Sequence, residues 1–231
     1  EVLLPALIDN FEKDAQAQEP KFKDLEAPIQ VLKNWNYYSN VNSVATTLAN
    51  EWAFKLNPIL QKVYIDEGEK DQVENMTEFA KTAGIDDMLP QLREVVQELQ
   101  AKFGKWEIPW GDINRFQRPS GDIDLTYDDN KESLAMGTAS VLWGSLPAFK
   151  SSYQNNSKKR YGYNGNSFIC AVEFGPKIKA KSLLAGGNSG DPNSKHFFDQ
   201  AKMYQNAQFK DVLFYKEDVQ KNAEKTYHPG E

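Results

Sequence analysis

One stretch of the sequence, residues 86–103, has an apolar pattern typical of a helix packed against a core. Its apolar side chains recur at intervals of three and four residues, so they would form one continuous stripe along a helix. The members of this stripe are Met88, Leu92, Val95, Val96, Leu99 and Phe103. Asp86 and Asp87 precede it, at the end of the predicted helix where negative charge favours the helix dipole. The pattern predicts core packing rather than a cofactor-binding segment.

The residues before this stripe are also predicted to be helical. The expected helices are 6–17, 24–35, a longer one that begins after Ser43, and 70–82. Asp24 and Ser43 are the expected N-caps of the second and third helices. Pro58 should kink or restart the third helix, and Gly84 fits the position that follows the fourth. Residues 1–104 are therefore predicted to form a helical region.

The composition changes near Gly104, after which Gly, Pro and aromatic residues become more frequent. The expected strands are 138–143, 167–174, 178–185 and 211–215, and the expected helices are 195–206, capped by Ser194, and 217–226. The second and third strands should form an antiparallel hairpin. Because residues 167–174 are apolar over most of their length, that strand is expected to be buried on both faces. The chain is therefore predicted to be α+β, with residues 105–231 as its second, mixed region.

Composition and charge exclude several classes of protein. The net charge is −6, and the most basic stretch, Lys158-Lys159-Arg160, is interpreted as a solvated loop, so nucleic-acid binding has no electrostatic basis. No stretch reaches the roughly 18 apolar residues that span a membrane. The only cysteine is Cys170, which excludes an internal disulfide. The first residues, from Glu1, lack the features of a signal peptide, and we expect the sequence to be an excised piece of a larger protein.

Tests for a catalytic triad single out three residues. Ser189 lies in a Gly-Asn-Ser-Gly loop that resembles a nucleophile elbow, but Asp191 stands where the last glycine of that motif belongs. This loop is interpreted as a tight turn whose glycines need positive φ. The two histidines are His196, expected in the first turn of a helix, and His228, expected in a frayed tail. A structural role is predicted for His196, and an enzyme that uses His196 or Ser189 remains an alternative.

Metal and phosphate sites are not predicted from the motifs. An acidic run faintly resembles a calcium-binding loop; it consists of Asp122, Asp124, Asp128 and Asp129. Thr126, Tyr127 and Ser133 stand at positions where that loop needs Asp or Asn, Gly and Glu, so a solvated loop is expected. The His and Cys clusters of zinc sites and the glycine patterns of phosphate loops are missing from the sequence.

Five stretches of the chain resemble sequence motifs that occur in the same order in one known protein family. They are Leu32-Lys33-Asn34-Trp35-Asn36, Ile108-Pro109-Trp110-Gly111-Asp112 with Asn114-Arg115, Gly165-Asn166-Ser167-Phe168 with Val172-Glu173-Phe174, Gly186-Gly187-Asn188-Ser189-Gly190-Asp191-Pro192, and Lys195-His196-Phe197-Phe198-Asp199-Gln200 with Met203-Tyr204. Together they resemble the C-terminal part of the large subunit of the penicillin acylase family, which are N-terminal-nucleophile hydrolases. Two positions depart from that pattern, because Asn36 replaces an aspartate and Asn188 a glutamine.

The resemblance implies a fold and a reaction. The fold is a four-layer αββα sandwich, to which this chain would add late strands and helices. The family nucleophile is an N-terminal serine freed by self-cleavage, its α-amine is the base, and backbone N–H groups and an asparagine hold the oxyanion. These groups and the family's calcium site lie before the matched region, and residue 1 is Glu1. No catalytic, metal-binding or cofactor residue is therefore assigned in this chain, and its substrate-binding residues stay unknown.

The implied role is a scaffold fragment of an amide hydrolase that deacylates N-acylated compounds, of the β-lactam or acyl-homoserine lactone type. The implied partners are the rest of the large subunit and the small subunit of one precursor, and self-association of the isolated chain is also considered. Neither nucleic acid nor a membrane is expected as a partner. The family resemblance implies export to the periplasm or outside the cell. The alternative is a non-catalytic binding or structural module derived from the same fold.

Overall fold

The longest helix, α3 (Val44–Glu67), begins where the sequence predicts it. The Ser43 Oγ accepts a hydrogen bond from the Thr46 N–H at 3.0 Å, which confirms Ser43 as its N-cap. Leu48, Trp52, Leu56 and Leu60 are buried along one face of this helix. The helix continues through Pro58, so the predicted restart is wrong. The buried side chains next to Pro58, Leu56 and Leu60, stabilise the helix here although proline removes one of its hydrogen bonds.

The structure is a computed structural model that describes residues 2–67, 71–120, 126–140, 148–154, 156–228 and 230. The chain forms two compact units: Glu1–Phe116 with Asp128–Tyr163, and Gln117–Tyr127 with Asn164–Glu231. The predicted division into 1–104 and 105–231 stays a prediction. Among the described residues, no helix has the length and apolar character that a membrane span requires.

Helix α5 (Ile85–Phe103) confirms the apolar stripe, since Met88 and Leu92 are fully buried in the core of the first unit. Gly84 lies at the predicted position, directly after the Ala83 C-cap of the preceding helix, but its backbone is extended rather than left-handed. It is the N-cap of α5 with φ −95°, and its N–H donates to Asp87 Oδ2 at 2.9 Å. The hydrogen bond to the Asp87 side chain therefore holds Gly84 at the N-cap of α5. The residue after α5, Gly104, has φ +80° and ends the helix.

The remaining helices of the first unit are shorter than predicted. They are α1 (Leu3–Lys13), two 3-10 helices (Ala15–Gln18 and Pro20–Leu25), α2 (Glu26–Lys33) and α4 (Gln72–Thr82). Helix α1 ends before residue 17 because Asp14 Oδ1 accepts the Gln16 N–H and starts a new turn. Asp24 is not an N-cap: it lies within a 3-10 helix and pairs with Arg93 at 3.3 Å.

A four-stranded sheet follows in the first unit. The short helix α6 (Trp110–Ile113) leads into β1 (Asn114–Phe116), and the other strands are β2 (Leu134–Ala135), β3 (Phe149–Tyr153) and β4 (Arg160–Gly165). The strand order is β2-β1-β4-β3, with β1 antiparallel to β2 and parallel to β4. Of the strand predicted at 138–143, residues 138–140 are not a strand and 141–143 lie outside the described residues.

The second unit contains a three-stranded sheet of order β5-β6-β7, formed by β5 (Phe168–Glu173), β6 (Lys179–Leu184) and β7 (Lys210–Asp211). The predicted hairpin is confirmed, with Phe168 opposite Leu184 and Glu173 opposite Lys179. The expected burial of β5 on both faces is wrong, because Phe168 is 59% and Val172 46% exposed. Strand β5 lies at the edge of this sheet, and helix α7 (Ala201–Gln205) packs against β6 instead.

The last predicted elements are present but shorter. Helix 195–206 begins only at Ala201, because Ser194 caps a turn in which its Oγ accepts the His196 N–H at 3.2 Å. Strand 211–215 is reduced to β7, and the last helix is α8 (Lys216–Lys221) rather than 217–226. Helices and two small sheets in one chain confirm the α+β class.

Candidate functional site

The loop at residues 186–192 is held by one side chain from far away in the sequence. The guanidinium of Arg118 donates hydrogen bonds to the carbonyl oxygens of Gly187 at 3.5 Å, of Ser189 at 3.1 Å, and of Phe197. It also lies over the Phe197 ring, with its Cζ 4.1 Å from the ring centroid. The planar fork of arginine suits this arrangement because several carbonyls share one cation. Arg118 therefore ties the loop to the segment that follows it.

The two glycines at the start of this loop allow its backbone to pack closely. A Cβ on Gly186 would lie 2.9 Å from Arg118 Nη1, and one on Gly187 would overlap the His196 carbonyl oxygen. Backbone hydrogen bonds close the contact, from Ser189 N–H to His196 O at 3.1 Å and from Gln200 N–H to Gly186 O at 2.9 Å. The expected positive φ is wrong here, since the glycines with positive φ among the described residues are Gly104, Gly165 and Gly230. Close approach, rather than a left-handed turn, explains these glycines.

The hydroxyl of Ser189 serves the turn. Its Oγ accepts a hydrogen bond from the Asp191 N–H at 3.1 Å, a local pattern common for serine in loops. Asn188 is exposed at the same loop. The structure therefore gives Ser189 a partner within its own turn.

The ring nitrogens of His196 both face carboxylates. Its Nδ1 lies 2.8 Å from Asp199 Oδ2, and its Nε2 lies 3.6 Å from Glu224 Oε2. Lys195 Nζ is 3.1 Å from the same glutamate, and its hydrogen bond and charge lower the pKa of Glu224. In a catalytic triad, one ring nitrogen of the histidine must be hydrogen-bonded to the nucleophile and the other to a carboxylate. In the described part of the chain, His196 is placed to fix a surface turn, and His228 is exposed in the C-terminal segment.

A buried ion pair in the first unit was missed by the sequence. Arg160 Nη1 lies 3.2 Å from Glu51 Oε1, and both side chains are less than a tenth exposed. The Arg160 Cζ lies over the Phe54 and Tyr153 rings, 4.1 and 4.9 Å from their centroids. Its Nη2 donates to the Ser151 carbonyl oxygen at 2.9 Å. The expected solvated loop is therefore wrong for Arg160, which begins β4 and points into the protein.

Burial and charge at this pair shift the pKa values of Glu51 and of the neighbouring Tyr153. Burial raises the pKa of Glu51, although the charge of Arg160 acts in the opposite direction. Burial and the charge of Glu51 likewise raise the pKa of Tyr153. No sequence signal could have found this pair, because its members lie 109 residues apart. It joins helix α3 to strand β4.

The acidic run ends in a second polar cluster, around Asp129. Its Oδ1 accepts hydrogen bonds from Ser157 Oγ at 2.6 Å and Tyr161 OH at 2.9 Å, and its Oδ2 accepts one from the Lys158 N–H at 2.9 Å. Lys159 Nζ donates to the Asp129 carbonyl oxygen at 2.8 Å. Burial alone would raise the pKa of Asp129, but these hydrogen bonds outweigh it and lower the pKa.

This cluster bears on the calcium interpretation. Asp129 is already occupied by protein donors, and Asp128 Oδ1 accepts the Asn130 N–H at 2.9 Å. Asp122 and Asp124 lie outside the described residues. Within the described ranges, no group of three or more His, Cys, Asp or Glu is arranged to hold a metal ion. Asp129 instead fastens the loop that precedes β4.

The Pro-Trp-Gly stretch at residues 108–115 packs within the first unit. Trp110 is 1% exposed, its backbone N–H donates to Ser43 O at 3.1 Å, and its Nε1 donates to Thr138 O at 3.3 Å. Asn114 Nδ2 donates to the same Thr138 oxygen and to Met136 O, both at 2.8 Å. These bonds hold the Pro-Trp-Gly element between the start of α3 and the sheet.

A sequence model of one protein family, described as penicillin amidase, matches residues 1–221. The match spans nearly the whole chain and includes all five stretches that carry the resemblance. It also covers the Arg118 loop, the Glu51–Arg160 pair and the Asp129 cluster.

Proposed function

Because the chain belongs to the penicillin amidase family, whose members are amidase-type hydrolases, we propose that it is a scaffold portion of an amide hydrolase. The parent enzyme would remove the acyl group from N-acylated compounds, either β-lactams with an aromatic side chain or acyl-homoserine lactones. The family match over residues 1–221 is the observation that carries this proposal. The five motifs resemble the C-terminal part of the large subunit, which supports that position for this chain.

The scaffold role is supported by the partners of the polar side chains, which bind other parts of the protein. Arg118 is committed to backbone carbonyls, Ser189 to its own turn, and His196 to two carboxylates. The Glu51–Arg160 pair is closed to solvent. Each of these groups is engaged within its own part of the fold, so we expect the nucleophile elsewhere in the parent enzyme.

The proposed chemistry follows from an N-terminal serine upstream. Its hydroxyl oxygen would attack the amide carbonyl while its α-amine, with a pKa near 8, takes the hydroxyl proton and passes it to the leaving amine. Water would then hydrolyse the acyl-enzyme. The rest of the large subunit and the small subunit are the proposed partners, and the family calcium site would lie in that part. The proposed location is the periplasm or the cell exterior.

The proposed fold is the four-layer αββα sandwich, and the second unit supports this. Strand β5 is an edge strand; Phe168 and Val172 are exposed on it, and so is Phe174 directly after it. Such an apolar surface is typical of an interface. In the sandwich it would be covered by the upstream chain. The same exposure also favours the second candidate function, a non-catalytic binding module derived from this fold.

Activity of the natural gene product tests the proposal. We would measure hydrolysis of an aromatic N-acyl β-lactam and of an N-acyl-homoserine lactone, with His196→Ala and Ser189→Ala as variants. Hydrolysis of one substrate class with kcat/KM unchanged in both variants is expected, since neither side chain is placed to touch the substrate. Loss of activity in a variant that keeps its circular dichroism spectrum would place catalysis at Ser189 or His196. Absence of hydrolysis of both substrates would favour the binding module.

A further inference from the structure

One loop of the first unit, between helices α2 and α3, exposes aromatic side chains to solvent. Tyr37 is 41% exposed, and its neighbour Tyr38 is 76% exposed. The half-buried Trp35 packs against the core, and the centroid of its ring lies 5.5 Å from that of the Tyr37 ring. A single exposed aromatic residue is common, but adjacent ones beside a third ring form a contact surface. We call residues 35–40 the aromatic loop.

The backbone of Tyr37 is in a strained conformation. Its φ is +63°, in the left-handed region that is an outlier for a bulky residue. Glycine would adopt this φ without strain, yet a large aromatic residue is present. The contact between the Tyr37 and Trp35 rings offsets part of the cost but leaves Tyr37 exposed. Strained residues of this kind cluster at ligand-binding sites.

Hydrogen bonds hold the aromatic loop in one conformation. Trp35 Nε1 donates to the Tyr38 carbonyl oxygen at 3.1 Å, and the Tyr38 N–H donates to Asn36 Oδ1 at 3.0 Å. Directly after the loop, the Val41 carbonyl oxygen accepts the Gly111 N–H at 2.8 Å. The exposed rings are therefore carried by a fixed backbone, so that binding a ligand would cost little ordering of the chain.

The composition of this segment selects an uncharged, polar ligand. Residues 34–50 contain no charged side chain, although 26% of the whole chain is charged. The exposed polar side chains of the segment are amides and a hydroxyl, among them Asn36, Ser39 and Asn40. Amides donate and accept hydrogen bonds, and the faces of aromatic rings attract C–H groups. A sugar ring offers both kinds of partner, because hydroxyls lie at its rim and C–H groups on its faces.

We propose that the aromatic loop binds a neutral carbohydrate. The Tyr37 and Tyr38 rings stack on the faces of sugar rings, and the neighbouring amides form hydrogen bonds with sugar hydroxyls. A strongly charged ligand is disfavoured, because it finds no counter-charge in residues 34–50. This site is independent of the proposed amide hydrolysis, since it uses only residues of the first unit.

Saturation-transfer NMR with the full chain tests the site. The probes are three neutral oligosaccharides: maltohexaose, cellohexaose and chitohexaose. We expect at least one of them to bind, and we expect Tyr38→Ala to weaken its binding about tenfold because one stacked ring is lost. Absence of binding to all three oligosaccharides, or unchanged affinity in Tyr38→Ala, overturns the proposal.

The matched control is Tyr163→Ala, which removes another exposed tyrosine of the same unit. Tyr163 is 59% exposed on strand β4, and the variant should bind the oligosaccharide as wild type does. An equal loss of affinity in Tyr163→Ala would show unspecific contact with tyrosine rings and overturns the proposal.

The variant Tyr37→Gly separates a binding role from a structural one. Because glycine adopts a φ of +63° without strain, we expect the urea midpoint of this variant to stay at the wild-type value. The affinity for the oligosaccharide should nevertheless fall about tenfold. A lowered midpoint with unchanged affinity would assign the Tyr37 ring to the fold alone and overturns the proposal.

Discussion

Ala207 occupies a backbone conformation that favours glycine. Its φ is +51°, and it follows helix α7 at the position where a left-handed residue ends a helix. The Gln208 N–H donates to Met203 O at 2.8 Å, and the Ala207 N–H donates to Tyr204 O at 3.2 Å. This pair of bonds is the Schellman pattern, in which the left-handed residue is usually glycine.

The variant Ala207→Gly is therefore expected to stabilise the second unit. Removing the Cβ relieves about 1–2 kcal/mol of strain, and glycine loses about 0.5–1 kcal/mol through its greater freedom in the unfolded chain. We expect a net gain of about 0.5–1 kcal/mol in the free energy of unfolding, measured by urea titration. Lys202→Gly, within the same helix and exposed, is the control and should lose about 1 kcal/mol. A loss in both variants would contradict a left-handed Ala207.

Asp129 should make stability depend on pH in the acid range. Its pKa is lowered in the folded protein, so its contribution is complete above its ordinary value of 3.8 and disappears as the pH falls through the folded value. Asp129→Asn is expected to cost about 1–2 kcal/mol at pH 7, because hydrogen bonds to a charged acceptor are lost. The difference in the free energy of unfolding between variant and wild type should disappear below pH 3.8.

The control for this experiment is Glu107→Gln, which removes an exposed carboxylate from the same unit. It should leave both the stability and its pH dependence unchanged. A constant gap between Asp129→Asn and wild type from pH 7 to pH 3 would show that the charge of Asp129 is not what stabilises the loop.

At the scale of elements, the Glu51–Arg160 pair joins helix α3 to strand β4. Breaking a buried pair leaves one charge without compensation, so Arg160→Met is expected to destabilise the protein by about 3–5 kcal/mol. Replacing both partners removes the unpaired charge as well. The double variant with Glu51→Met should therefore return to within about 1 kcal/mol of wild type. Additive losses in a double-mutant cycle would contradict a coupled pair.

The pH dependence of Arg160→Met has a defined sign. Burial raises the pKa of Glu51 above its ordinary value of 4.5, and loss of the arginine removes the main opposing influence. A raised folded-state pKa gives stability that is present below 4.5 and is lost as the pH rises through the folded value. Arg160→Met should therefore be least stable at neutral pH and recover on acidification, as measured by urea midpoints between pH 7 and pH 4.5.

The elements that could be predicted from sequence are those with local causes. The stripe of α5, the Ser43 cap of α3 and the β5–β6 hairpin follow from spacing, capping and a turn within a short segment. Strands β1 to β4 were missed because they are short and their pairing joins residues far apart, as for Asn114 and Arg160. Asp24 has the chemistry of a cap, but a tertiary ion pair with Arg93 determines its place.

The same limit applies to the candidate site. The glycine loop at 186–192 was predicted from its composition, and the hydrogen bond of Ser189 to its own turn is local. The role of Arg118 could not be predicted, since its partners Ser189 and Phe197 lie 71 and 79 residues away. A lone arginine gives no sequence signal for such a contact.

At the scale of the whole molecule, the scaffold proposal predicts that strand β5, exposed in this chain, is covered in the parent enzyme. Cys170 lies on β5 and is an exposed free thiol. We expect a thiol reagent to label it readily in this chain, and much more slowly in the natural protein, where the upstream chain would cover the strand. The labelling rate of Cys170 in urea, measured for both proteins, serves as the rate for a fully accessible thiol. Equal protection factors would contradict coverage of β5 in the parent enzyme.

The most direct test of the hydrolase proposal is the N-terminal sequence and intact mass of the natural protein, purified from its source. The proposal predicts that the 231 residues lie within a longer large subunit that begins with serine and that a smaller subunit copurifies. A natural product that begins near Glu1 and copurifies with nothing would contradict it, and the exposed strand β5 would then indicate a binding module.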